Sequence, residues 1–327
     1  MQYFFINQQL KLNFFEIKGN LYINEFPYFS MFGKTELKIL RNLSEGDSVK
    51  DISKKVGISK GKVSISLKNL EEMGFIIRER NNRRIFIKIG NAKHASLFFD
   101  FIKEYPFLPI EKLLTQKRVA MLSVIENEPS AIAKIVGVSC RTVYNAINDF
   151  LKYGILIKKN GYKINPHHRT LKAFVFEFQS FLNRIEMAKA DEKAILIWEQ
   201  GPEFLIKTHR EIKEKNYHLT AISAFKNFDL LFIPSHNYYF YSRRAITVSD
   251  IIIHTVLIKP DSKINIAYAC LLYQKTKPQD LVRIAKIYGM EEKAMKIIKY
   301  VDKKQDFDDF PRRDEYNELL KEYAVIK

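Results

Sequence analysis

Along residues 56–89 the spacing of apolar positions changes from a helical to a strand period, and the polar positions between them are mostly cationic or small. Behind Ser59, a residue type suited to accept a free backbone N–H at a helix start, Val63, Leu67 and Leu70 recur as one buried helical stripe. The opposite face carries Lys60, Lys62, Ser64, Ser66 and Lys68. Met73 and Gly74 end this helix. Residues 75–80 and 83–89 then read as two short strands turning at Asn81 and Asn82, with Arg78, Arg80, Arg83 and Arg84 around the tip. A helix of this width fits the major groove of double-stranded DNA, and an arginine-tipped hairpin suits its phosphates.

The pattern occurs twice. Gly137, Val138, Ser139, Val143, Ile147, Phe150, Gly154, Ile155 and Leu156 stand at a constant offset of 80 from Gly57, Ile58, Ser59, Val63, Leu67, Leu70, Gly74, Phe75 and Ile76. Upstream, Ile132 and Val136 answer to Ile52 and Val56. Downstream, each hairpin leads into another helical stretch, 95–103 and 170–185. The repeated unit is therefore helix, helix, turn, helix, hairpin, helix. In the second copy the exposed face carries Arg141, Thr142, Tyr144, Asn145 and Asn148, followed by a shorter hairpin with Lys158, Lys159 and Lys163. Arg pairs with guanine and Asn with adenine in the major groove, so sequence choice is expected from this copy. Asn160-Gly161 favours a tight two-residue turn.

These residues resemble the tandem winged helix-turn-helix transcription regulators common in archaea, with modules similar to the MarR-like and ArsR-like ones, over roughly residues 34–186. The resemblance implies a DNA-binding regulator. Helices in the position of 170–185 often form the dimer interface in such proteins, so the stripe Leu171, Phe174, Phe178, Phe181, Leu182 and Ile185 is expected to join two copies or to pack against the third domain.

The fold class expected is α+β, with two tandem winged helix-turn-helix domains followed by a small mixed α/β domain with a helical tail. Residues 1–33 read as an aromatic β-hairpin extension around Gly19 and Asn20. Residues 34–108 form the first winged helix with a linker helix striped by Leu97, Phe98, Phe101 and Ile102, and 109–188 form the second. In 189–327, strands are expected at 194–200, 230–234 and 238–242, and helices at 202–216, 249–258, 263–274, 278–288 and 290–301. ITVSDIIIHTVLI and the helices after it are similar to AbiE-type antitoxins and to degenerate nucleotidyltransferases.

Composition narrows the choice. A length of 327 residues suits two or three domains. No run of about 18 apolar residues suggests a membrane span, and the start lacks a charged n-region, so a cytoplasmic protein is expected. Two cysteines, Cys140 and Cys270, fit a reducing compartment and exclude a cysteine-built zinc site. The net charge of +17 divides into +14 on residues 1–190 and +3 on 191–327, so the basic character lies with the repeats.

Three local patterns are set aside. GISKGKVS has too few residues between its glycines for a phosphate-binding loop, and Val63 stands where Ser or Thr must hold magnesium. His167 and His168 have no further ligand at useful spacing, and Cys140 reads as a small residue that fits. An active nucleotidyltransferase needs a Gly-Ser turn and paired carboxylates, whereas here Gly201 precedes Pro202 and only Asp229 follows. Asp250, Asp261 and Asp280 are scattered.

No enzyme, cofactor or metal is therefore expected. In the third domain, Trp198 and Tyr238 to Tyr241 read either as the lining of a ligand pocket, with Arg243 and Arg244 meeting an acidic group, or as a hydrophobic core with an exposed basic edge. The preferred reading is a sequence-specific regulator of double-stranded DNA, acting as a homodimer. The second is an antitoxin-like autorepressor binding a toxin partner through 189–327; the third is a nucleotidyltransferase-fold enzyme.

Overall fold

The computed structural model describes residues 32–81 and 84–323. The aromatic extension expected over 1–33 lies almost wholly outside the described residues. The first unit is α1 (Lys34–Asn42), α2 (Val49–Val56), α3 (Lys60–Glu72) and the hairpin β1 (Ile76–Asn81) with β2 (Arg84–Ile89), closed by α4 (Lys93–Glu104). The second is a short α5 (Ile110–Leu113), α6 (Gln116–Ser123), α7 (Pro129–Val136), α8 (Cys140–Lys152), β3 (Leu156–Lys158), β4 (Tyr162–Ile164) and the long α9 (Arg169–Ala190).

The two units share one apolar core. Phe75, at the start of the first hairpin, stacks on Phe32 with centroids 4.8 Å apart, and meets Phe98 of α4 at 5.6 Å and Phe178 of α9 at 5.1 Å. α4 and α9 pack along one another, and Leu171, Phe174 and Phe178 are fully buried. The first half of the stripe expected at a dimer interface is thus covered by the chain itself, while Phe181, Leu182 and Ile185 stay half-buried. The physical cause of the covering is that the amphipathic helices closing the two units find each other as nearest apolar partners. Arg41 adds an ion pair across the units, 2.9 Å from Glu111.

The C-terminal part begins with a four-stranded sheet in the order β5 (Ile195–Gln200), β6 (Glu203–Thr208), β8 (Asn237–Tyr241), β7 (Tyr217–Leu219), with every pair antiparallel. The sheet is therefore not mixed. Two sequence expectations fail here. Residues 202–216 hold β6 and a loop instead of a helix, because β6 is covered on both faces: Leu205 faces the helical core, while Phe204 and Ile206 face a small core with Tyr239 and Ala190. A strand buried twice has no alternation to betray it. Residues 230–234 are not a strand, since a 3₁₀ helix (Ala221–Phe228) ends at Asp229 with φ +51° and leads into an irregular stretch.

The helices α10 (Val248–Leu257), α11 (Lys263–Thr276), α12 (Leu281–Ile287), α13 (Glu291–Asp302) and α14 (Arg313–Glu322) pack on one face of the sheet. The whole is an α+β fold. No helix among the described residues is long and apolar enough to cross a membrane.

The sheet is docked on the second unit at several places, two of which bear on the second reading helix and its neighbours. Gly201, at the β5–β6 turn with φ +55°, lies so close to α6 that an added Cβ would stand 2.2 Å from Val124 Cγ1. Asn183 of α9 donates to the Gly201 carbonyl at 2.8 Å and to Glu199 Oε2 at 2.9 Å. The second place is the pair Arg243–Arg244.

Candidate nucleic-acid interface

α3 and α8 are built alike. In each, a left-handed glycine ends the preceding helix, Gly57 at φ 70° and Gly137 at φ 71°, and its N–H donates back to the Ser53 or Ala133 carbonyl. A serine then caps the next helix: Ser59 Oγ accepts from Lys62 N, and Ser139 Oγ from Thr142 N at 3.2 Å. At the far end Phe75 N and Ile155 N each donate to a helix carbonyl, of Leu70 and Phe150, at 2.9 Å. Val63, Leu67 and Leu70 are buried, as are Val143, Ile147 and Phe150. These stripes fix which faces are left to solvent.

Lys60, Lys62, Ser64 and Lys68 are exposed on α3, and Arg141, Thr142, Tyr144, Asn145 and Asn148 on α8. Lys68 lies 3.9 Å from Glu72, an exposed pair that solvent screens. The Ser59 hydroxyl accepts from Lys62 N at the cap and so positions the helix. Ser66 is a correction. It is 3% exposed and donates to Glu36 Oε1 at 2.8 Å. Three residues after Val63 and four before Leu70, it sits inside the stripe, and Ala146 occupies the matching place in α8. That partner was the available signal. The residue missed is Ile65, a large aliphatic side chain 64% exposed between Lys62 and Lys68.

The first hairpin pairs Asn81 with Arg84. Arg83 and the Arg84 side chain lie outside the described residues. Arg78 reaches back to α3, where its Nε donates to Glu71 Oε2 at 2.6 Å, so its charge is partly neutralised. Arg80 is exposed. In the second hairpin Lys158 pairs with Tyr162, leaving a three-residue turn where two residues were expected; Asn160 (φ 50°) and Gly161 (φ 110°) both take positive φ. Lys158, Lys159 and Lys163 are exposed, the last 4.0 Å from Glu126.

The C-terminal arginines do different work from that expected. Tyr238, Tyr239 and Phe240 are buried as core, and Trp198 packs on Tyr288 at 5.2 Å, so these aromatics fill the fold and line no pocket. The acidic groups that Arg244 meets are internal. Its Nε donates to Glu203 Oε1 at 2.9 Å, and its Nη2 to Asp250 Oδ1 at 2.8 Å and Tyr288 Oη at 2.7 Å. Burial would raise the Asp250 carboxyl, but the Arg244 guanidinium and the Tyr288 hydroxyl hold it at about 2.

Beside it, fully buried His254 is pushed down to about 3 by desolvation, its ring nitrogens bonded to Tyr288 Oη at 2.8 Å and Thr220 Oγ1 at 2.7 Å. Asp250 also closes the cap of α10 with Thr247, and Asp280 accepts from Ser249, so both are structural. The Asp229 side chain is solvent-exposed, 3.8 Å from Lys275. His168 is buried against Tyr105, and Cys140 is exposed at the first residue of α8. Among the described residues no three His, Cys, Asp or Glu side chains converge on one point.

Comparison with known proteins adds two matches. Residues 33–78, from α1 into the first hairpin, match the family model of bacterial regulatory proteins of the arsR family. Residues 214–325 match a family model described as HVO_2833_C, C-terminal, which brings no support for the AbiE-type likeness. No curated protein and no solved structure matches the chain.

Proposed function

We propose that this chain is a sequence-specific regulator of transcription that engages double-stranded DNA through both units, with the C-terminal domain serving sensing or association. One observation carries the reading: two helices with matching caps and matching buried stripes leave lysines on one and Arg141, Asn145 and Asn148 on the other facing solvent, each followed by a cationic hairpin. The first of them falls in the stretch matching the arsR family, whose name refers to regulatory proteins. Because the two units share one core within a single chain, the second unit supplies a second reading head beside the first.

Selection from a random duplex pool at moderate salt tests this. One preferred sequence should be recovered, with affinity falling steeply as salt rises; a pool that stays random refutes specificity. On the recovered duplex, Arg141→Ala should remove discrimination worth about 1–3 kcal/mol at a single base pair. Lys62→Ala should weaken every duplex alike and lower the salt slope by about one.

A further inference from the structure

Arg243 and Arg244 are consecutive, yet their side chains are fixed on opposite sides of a domain junction. Arg244 is held in the C-terminal domain by Glu203 of β6, Asp250 of α10 and Tyr288 just after α12, so the backbone here has little freedom to slide. Arg243 Nη1 crosses to the second unit and donates to the Val136 carbonyl at 2.7 Å. That carbonyl is the last of α7, where the helix dipole also favours a cation. The stem of Arg243 runs against the turn that follows: a Cβ on Gly137 would stand 3.0 Å from Arg243 Cδ. In the first unit the matching carbonyl, Val56, accepts from Lys38 Nζ of the same unit at 2.8 Å; among the described residues no other domain reaches it, and nothing lies within 4 Å of a Cβ on Gly57.

We propose that Arg243 is a positioning residue for the second reading helix, through which the C-terminal domain sets DNA recognition by α8 and not by α3. The turn it grips, residues 137–139, leads directly to the α8 cap and then to Arg141, Tyr144 and Asn145. A recognition constellation tolerates only about 0.5 Å of misplacement, so loosening this turn blurs base discrimination before it unfolds anything. The inference rests on the DNA-reading role given above and adds to it a route from the C-terminal domain to one of the two heads.

The test uses the full chain and the duplex selected by wild type, scanned one base pair at a time. Arg141→Ala marks the base pairs read by α8. Arg243→Ala should lower discrimination at those base pairs about tenfold, the loss of one hydrogen bond to a cation, and leave the remaining ones unchanged. Arg243→Lys, which keeps a donor, should recover part of the loss. Amide exchange over 137–142 should quicken in the alanine variant while exchange over 57–62 stays as in wild type.

The proposal is overturned if Arg243→Ala discriminates and exchanges as wild type does, or if both sets of base pairs weaken equally. Should wild type select no duplex, the DNA-reading role falls. The exchange comparison would then still decide whether Arg243 holds the turn.

Discussion

The two reading units differ most where their backbones agree best. Both turn at a glycine with φ near 70°, but the helix-end carbonyl before the first is held from within its own unit, by Lys38, and that before the second by Arg243 from another domain. The first has six-residue strands in its hairpin and lysine with serine on its helix; the second has three-residue strands and arginine with asparagine. Lysine and serine give adaptable contacts that need little positional precision, whereas bidentate contacts from Arg and Asn need a fixed helix. The grip therefore lies on the head whose chemistry demands it. The two units share one local pattern, and tertiary contact makes them unequal.

The largest effect should come from treating the heads as separable, which their common core forbids. Phe75→Ala should cost about 3–5 kcal/mol, because Phe75 touches Phe32, His94, Phe98, Phe174 and Phe178. Calorimetry should show both units melting together and earlier. A second unit that keeps its own unshifted transition would show the heads to be independent.

Acid should act next, and from both ends. His254 lies at about 3 and His94 at about 4, both pushed down by burial, against an ordinary value of 6.5. The unfolded chain takes up these protons first. The stability tied to the neutral rings is therefore present above pH 6.5 and lost as pH falls towards 4 and then 3. Each ring should account for about 2 kcal/mol between pH 6.5 and 5. Asp250, at about 2, does not titrate in that window. Urea midpoints across it should slope less in His254→Gln; an unchanged slope would clear this residue of the effect.

The two turns offer a matched pair. Gly57→Ala and Gly137→Ala impose the same left-handed strain, about 1–2 kcal/mol, but only the second also pushes on Arg243. Gly137→Ala should be the more destabilising in thermal melts, and equal shifts would mean that the grip yields freely. Smallest is Ile65. An exposed aliphatic on a reading helix suits the methyl group of thymine, so Ile65→Ala should cost less than about 1 kcal/mol of affinity. Replacing thymine by deoxyuridine in the duplex should produce the same loss in wild type and none further in the variant.

By itself the sequence determined both reading helices and their turns. The helix bounds at Val49–Val56, the caps at Ser59 and Ser139, and the glycines at 57 and 137 all follow from contacts within a few residues, which a local pattern can carry. The helices from residue 248 onward were legible for the same reason. Tertiary structure decided what the faces of those elements meet. Ser66 turns inward because Glu36, 30 residues away, waits for its hydroxyl. Leu171, Phe174 and Phe178 of the α9 stripe are buried against α4, and β6 is a strand because helices and α9 cover it from both sides. Arg243 finds the Val136 carbonyl 107 residues earlier in the chain. Periodicity reports how a residue relates to its neighbours in sequence, and none of these partners is one.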